Sequence, residues 1–198
     1  MELETGFEEQ FHGRGGPIQT SFSTWRTEVE QDWIVASENL MRGLGKGKGV
    51  DMWSGDHLGT FHGLSTIDRR EGENEATRSY AATGYLLPNI GRPNLHVLTD
   101  ALVTKLVVEK DGTVTGARFL YAGEEHTVYT RKEVILAAGV FKSPQILELS
   151  GIGNPIVLEN AGVEYIVQNM CVGENFQDHV TTAVGYEVVD GVTTLDIL

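Results

Sequence analysis

Four groups of residues have types and spacings that could do chemistry. Asp178-His179 sets a carboxylate beside an imidazole, the couple that activates a nucleophile in a Ser-His-Asp arrangement. No G-x-S-x-G elbow accompanies it, and Ser150 sits in a helix-ending Ser150-Gly151-Ile152-Gly153 rather than on a strained strand-to-helix turn, so a triad is not expected. Gly43-Leu44-Gly45-Lys46-Gly47-Lys48-Gly49 is rich enough in glycine and lysine to suggest a phosphate loop. Such a loop needs a strand before it, a helix after it and Ser or Thr behind the lysine. Here a helical pattern precedes and Val50-Asp51 follows, which favours a mobile surface loop. His57 and His62 stand five apart, the wrong spacing for one helical face, which argues against a metal site. The fourth group, Ala137-Ala138-Gly139, lies where an apolar run gives way to an amphipathic one. Open α/β sheets bind nucleotides at such turns, and many such turns bind nothing, so the residues alone leave both readings open.

The elements that position this turn can be read from pattern. Val134–Ala138 is a short apolar run with β-branched residues, which predicts a strand buried on both faces. Ser143-Pro144 predicts a helix start, with Ser143 as N-cap and Pro144 at the first helical position. Ile146, Leu147 and Leu149 give that helix an apolar side, and the glycines after Ser150 stop it. Upstream, Ile18–Phe22 reads as a short strand. Ser23 or Thr24 reads as the cap of a helix reaching about Met41, with Trp25, Val29, Trp33, Ala36 and Leu40 at helical spacing. Residues 51–76 are dominated by turn formers, Thr77–Leu86 predicts a short helix, and Leu95–Leu98 an extended run. Three strands follow, at Ala101–Glu109, Val114–Tyr121 and His126–Tyr129, with Asp111-Gly112 as a hairpin signal. This is a β-meander, after which the chain returns to a central parallel sheet. A helix over Ile156–Asn160, a strand over Val163–Val167 and a strand with a turn over Thr181–Leu198 complete the reading. The fold class is α/β, of mixed α+β character.

Composition narrows the functions. A formal net charge of −13 argues against nucleic acid and against an anionic membrane surface, both of which attract clustered Lys and Arg. No apolar run reaches the length of a membrane span. The acidic opening, MELETGFEEQ, lacks an apolar core and is not expected to be a signal peptide. With Cys171 as the sole cysteine, an intrachain disulfide framework is excluded and an inert thiol is expected.

Several motifs together resemble one family. Gly139-Val140-Phe141-Lys142-Ser143-Pro144-Gln145-Ile146-Leu147-Glu148-Leu149-Ser150-Gly151-Ile152-Gly153 resembles the second signature of the glucose-methanol-choline (GMC) flavoprotein oxidoreductases. It departs at Val140, where the family has a small or hydroxylated residue or proline. Val172-Gly173-Glu174-Asn175-Phe176-Gln177-Asp178-His179 is similar to the family's V-G-x-N-L-Q-D-H motif, with Phe176 for the leucine and Met170-Cys171 where a proline is usual. Asn175 and Asp178 can also bond nearby backbone and simply fix a turn. Further resemblances are the Gly-Pro-Ile entry at 16–18, the R-S-x-A-x-x-Y-L segment beginning at Arg78, and Arg92-Pro93-Asn94-Leu95 with Val97-Leu98-Thr99, Val103 and Lys105.

The resemblance implies a partial FAD/NAD(P)-binding-like domain with a β-meander, plus part of a substrate-binding domain. Residues 1–90 would belong to the substrate side and its connecting loops, 91–180 to the FAD-binding domain, and 181–198 to the start of a further substrate-domain segment. FAD is the implied cofactor and a small-molecule alcohol the implied substrate of the full-length parent, oxidised by hydride transfer to the flavin. Val103, Ala138 and Gly139 are the implied cofactor-binding residues, Val103 through its backbone to adenine, although a plain strand residue would suit that position equally. No residue here is assigned the catalytic step, because the family's histidine base lies near its C-terminus. No G-x-G-x-x-G follows an apolar strand either, so the chain reads as an internal fragment. It is expected to bind FAD weakly or not at all alone, and to self-associate. A non-catalytic α/β scaffold and a flavin-containing hydroxynitrile lyase are the alternative functions.

Overall fold

The computed structural model describes residues 8–24, 27–47, 49, 51–70, 76–187 and 189–191. The chain divides into two compact units, Met1–His96 with Val184–Leu198, and Val97–Ala183.

In the first unit, helix α1 spans Glu28–Gly43. Thr27, not Ser23 or Thr24, caps it: its hydroxyl accepts the Glu30 N–H at 3.2 Å. Acidic Glu28 and Glu30 in the first turn and Arg42 in the last suit the helix dipole. The predicted apolar stripe forms, but it faces solvent. Trp33 is 70% exposed and α1 buries none of its described side chains. Trp25 lies outside the described residues. The expected strand over Ile18–Phe22 reduces to one antiparallel bridge, Ser21 with Ser65. The expected helix over Thr77–Leu86 is split. Thr77–Arg78 forms strand β2, antiparallel to β1 (Ile67–Asp68), and a wide π turn follows at Ala82–Leu86. Gly84 explains the tight fit there, since a Cβ on it would meet the Pro17 carbonyl oxygen and Ile18 Cδ1, each at 2.9 Å.

The second unit is better ordered by its sequence. Strands β3 (Leu102–Val108), β4 (Val114–Tyr121) and β5 (Glu124–Tyr129) form an antiparallel sheet in the order β3-β4-β5, which is the expected meander. Gly112, at φ +87°, makes the first hairpin turn, and the Asp111 carboxylate accepts the Thr113 N–H at 2.9 Å. Helix α2 (Gly139–Leu149) packs on β3. Ser150 pins the two together: its buried hydroxyl accepts the Leu106 N–H at 2.7 Å and donates to the Ile146 carbonyl at 2.5 Å. Strand β6 (Ile152–Gly153), helix α3 (Pro155–Asn160) and strand β7 (Val167–Gln168) follow, with β6 and β7 parallel. Asn154 caps α3 by accepting the Ile156 N–H at 3.0 Å. Leu158, 1% exposed, anchors α3, and Leu106, Ile146 and Val172 complete the small apolar core.

Three expectations fail around α2. Val134–Ala138 forms no strand, and Ile135 is 81% exposed. Strand propensity alone cannot hold an apolar run in a ladder, and among the described residues no neighbouring strand pairs with it. The only parallel pairing among the described residues is β6 with β7, so the central parallel sheet is not present there. The helix also starts four residues before Ser143, at Gly139. Ser143 then lies inside it, where its hydroxyl accepts the Ala138 N–H at 3.1 Å. Pro144 is likewise interior and deprives the helix of one N–H donor.

Candidate functional site

The three residues implied as cofactor contacts lie on the packed β3–α2 pair of the second unit or at its ends. Val103 sits near the start of β3 opposite Phe119, just before a bulge in the β3–β4 register that separates it from Lys105. A bulge re-aims the backbone and side chains beside it. Ala138 is the residue before α2, and Gly139 opens the helix at φ +83°. That left-handed geometry favours glycine, so the turn depends on the residue type found there.

A cleft of about 1120 Å³ opens beside this turn. Its walls are the first turns of α2, through Val140, Phe141 and Gln145, and the loop at 169–177, through Asn175 and Phe176. Phe141 and Phe176 touch each other on its lining, with ring centroids 5.3 Å apart and planes tilted by 35°. Phe141 is 70% exposed, so this apolar pair meets solvent rather than core. The loop is shaped by its own polar groups. Asn169 accepts the Cys171 N–H at 3.0 Å, and the buried Val172 anchors it. Asn175 adopts φ +56°, and its side-chain oxygen accepts from Gln177 Nε2 at 3.2 Å. The Asp178 carboxylate accepts the His179 backbone N–H at 2.7 Å, so this bond serves the turn, not the His179 imidazole. Chemically, the cleft offers an apolar patch and amide groups, with the charged side chains of Lys142, Glu148 and Glu174 also on its lining.

Sequence reasoning did not find Phe141, Asn175 and Phe176 as neighbours. The two motifs that carry them were visible, but Phe141 and Phe176 are 35 positions apart and only the packing of the loop on α2 joins them.

A second polar cluster belongs to the first unit. Asp51, 1% exposed, accepts from the Glu8 N–H at 2.9 Å and the Trp53 N–H at 2.8 Å, and lies 2.6 Å from His12 Nε2. Burial pushes its carboxyl upward, but these hydrogen bonds and the nearby His12 outweigh burial and hold it below the ordinary value of 3.8. The His12 ring meets Trp53 edge-on, with centroids 5.5 Å apart. Asp51 thus ties residues 8–12 to 51–53.

Comparison with known proteins adds to this geometry. The sequence model of the GMC oxidoreductase family matches residues 35–181. The dehydrogenase citC of Monascus ruber is 42% identical over 191 residues, which is 94% of this chain and 30% of that protein. The glucose oxidase of Aspergillus carbonarius is 35% identical over 186 residues, 92% of this chain and 30% of the oxidase. Among solved structures, an FAD-dependent oxidoreductase from Chaetomium thermophilum superposes with a TM-score of 0.71 at 27% identity, over 83% of this chain and 27% of that one. The chain thus spans about three-tenths of the length of these relatives.

Proposed function

The chain belongs to the GMC oxidoreductase family, and from that premise we propose that it supplies part of the flavin-binding surface of an FAD-dependent enzyme oxidising a CH–OH donor. FAD is the cofactor of the family matched here. The observation that carries the reading is the single cleft walled by both resemblance motifs, with Phe141 and Phe176 on its lining. An apolar surface rimmed by amides suits a flat heteroaromatic ring system. On this reading Val103 contributes backbone to adenine, the Ala138-Gly139 turn lies beside it, and the α2–loop cleft forms a wall for the ring. When bound, the flavin supplies the hydride acceptor. This chain's residues position it and exclude water from one side; none of them is the proton-accepting base. We assign residues 1–90 and 181–198 to the substrate side and 91–180 to the FAD-binding domain.

The test is a titration of the full chain with FAD, followed residue by residue from backbone amide shifts. Weak binding is expected, because the chain has no G-x-G-x-x-G strand-to-helix unit to seat the pyrophosphate. The shifts should fall on 138–148 and 172–177 and on Val103. Shifts confined elsewhere would overturn the assignment, and submicromolar affinity would overturn the expectation of weak binding.

A further inference from the structure

A second cavity, about 410 Å³, runs along the outer edge of β3, bounded by the end of α2 and by residues 162–166. It shares no lining residue with the α2–loop cleft. Its lining cations are Lys105 and Arg118, which are direct partners across the β3–β4 ladder. Cross-strand partners project side by side from one face, and like charges so placed destabilise a sheet. Among the described residues Lys105 has no ion pair or side-chain hydrogen bond. Arg118 reaches Glu125 only at 4.0 Å, beyond hydrogen-bonding range. In a chain with a net charge of −13, two cations lining one cavity, one of them paired only at 4.0 Å, form a local exception to the field.

We propose that this cavity binds a small hydroxylated phosphomonoester, with the phosphate between Lys105 and Arg118. Two cations match a dianion better than a monocarboxylate. The guanidinium fork suits paired phosphate oxygens, and the ammonium acts as a point charge beside it. Glu164 also lines the cavity. Its carboxylate repels phosphate and accepts hydrogen bonds from hydroxyls, which favours a sugar-phosphate type of ligand over a polyanion. The volume accommodates a molecule of that size.

Isothermal titration of the full chain with glucose 6-phosphate, inorganic phosphate and glucose tests this. Saturable binding is expected for glucose 6-phosphate, weaker binding for inorganic phosphate, and none for glucose. Lys105→Gln and Arg118→Gln should each weaken binding by about tenfold. Lys110→Gln makes the same change in net charge outside the cavity and should leave binding unaltered. Lys105→Arg keeps the charge and should bind within a few-fold of the parent. Absence of saturable binding by either phosphate would overturn the proposal. So would equal weakening by Lys110→Gln, which would reduce the effect to bulk charge.

Discussion

Replacing Ser150 by alanine tests the joint on which the second unit depends. The Ser150 hydroxyl is buried and serves two backbone groups, the Leu106 N–H at 2.7 Å and the Ile146 carbonyl at 2.5 Å. The Ile146 carbonyl has no substitute partner in Ser150's own N–H, because that N–H turns to Leu147 instead. Ser150→Ala therefore strands a buried donor and a buried acceptor, each costing about 1–3 kcal/mol in desolvation. With some relief from local water entry, a net loss of about 2–4 kcal/mol is expected. For a unit of this size that lowers the melting temperature by roughly 10–25 °C. Ser143→Ala is the matched control. Its hydroxyl also serves one backbone N–H, that of Ala138, but at an exposed position, and it should cost no more than about 1 kcal/mol. The assays are urea unfolding and hydrogen exchange, the latter reading the Leu106 amide directly. Equal losses in the two variants, or unchanged protection at Leu106, would refute the reasoning.

Three further outcomes are expected. Gly139→Val should cost at least about 1–2 kcal/mol, because valine does not tolerate φ +83°, and circular dichroism of the variant should show lost helix. Asp51 has a folded pKa held below 3.8, so the stability it contributes is fully present above that value and is lost as pH falls through the depressed one. Thermal melts taken from roughly pH 5 down to pH 2 should show a steep acid limb that Asp51→Asn flattens. Ile135→Lys should raise the monomer fraction in light scattering behind gel filtration, since Ile135 is 81% exposed and apolar.

The sequence revealed best what local physics decides. The meander was legible because alternation, β-branched residues and the Asp111-Gly112 turn all agree, and Val114–Tyr121 has the bounds expected of it. The cap at Asn154 and the proline after it fixed α3 in the same way. Val134–Ala138 misled because a strand is completed by its neighbours, and its apolar residues say nothing about whether a ladder is there to receive them. The start of α2 misled because Ser143-Pro144 is a good opening signal, yet Gly139 can turn the chain earlier and Ser143 can still bond the Ala138 N–H from inside. Of the cleft, the α2 wall was readable as a motif, residues 139–153. The meeting of Phe141 with Phe176 was not, since it is a tertiary contact between residues 35 apart.

The seat of Pro17 on Gly84 has a consequence for synthesis on the ribosome. Pro17 packs on Gly84, the Gln19 N–H bonds Ser79 Oγ at 2.8 Å, and Ser21 pairs with Ser65. Each contact joins an early residue to one made some 44–67 residues later. At bacterial to eukaryotic elongation speeds that is a wait of roughly 2–13 s. During it, residues 17–21 lack the surfaces they fold against. The first unit therefore closes only after Gly84 has been made, and residues 17–21 wait for their partners until then.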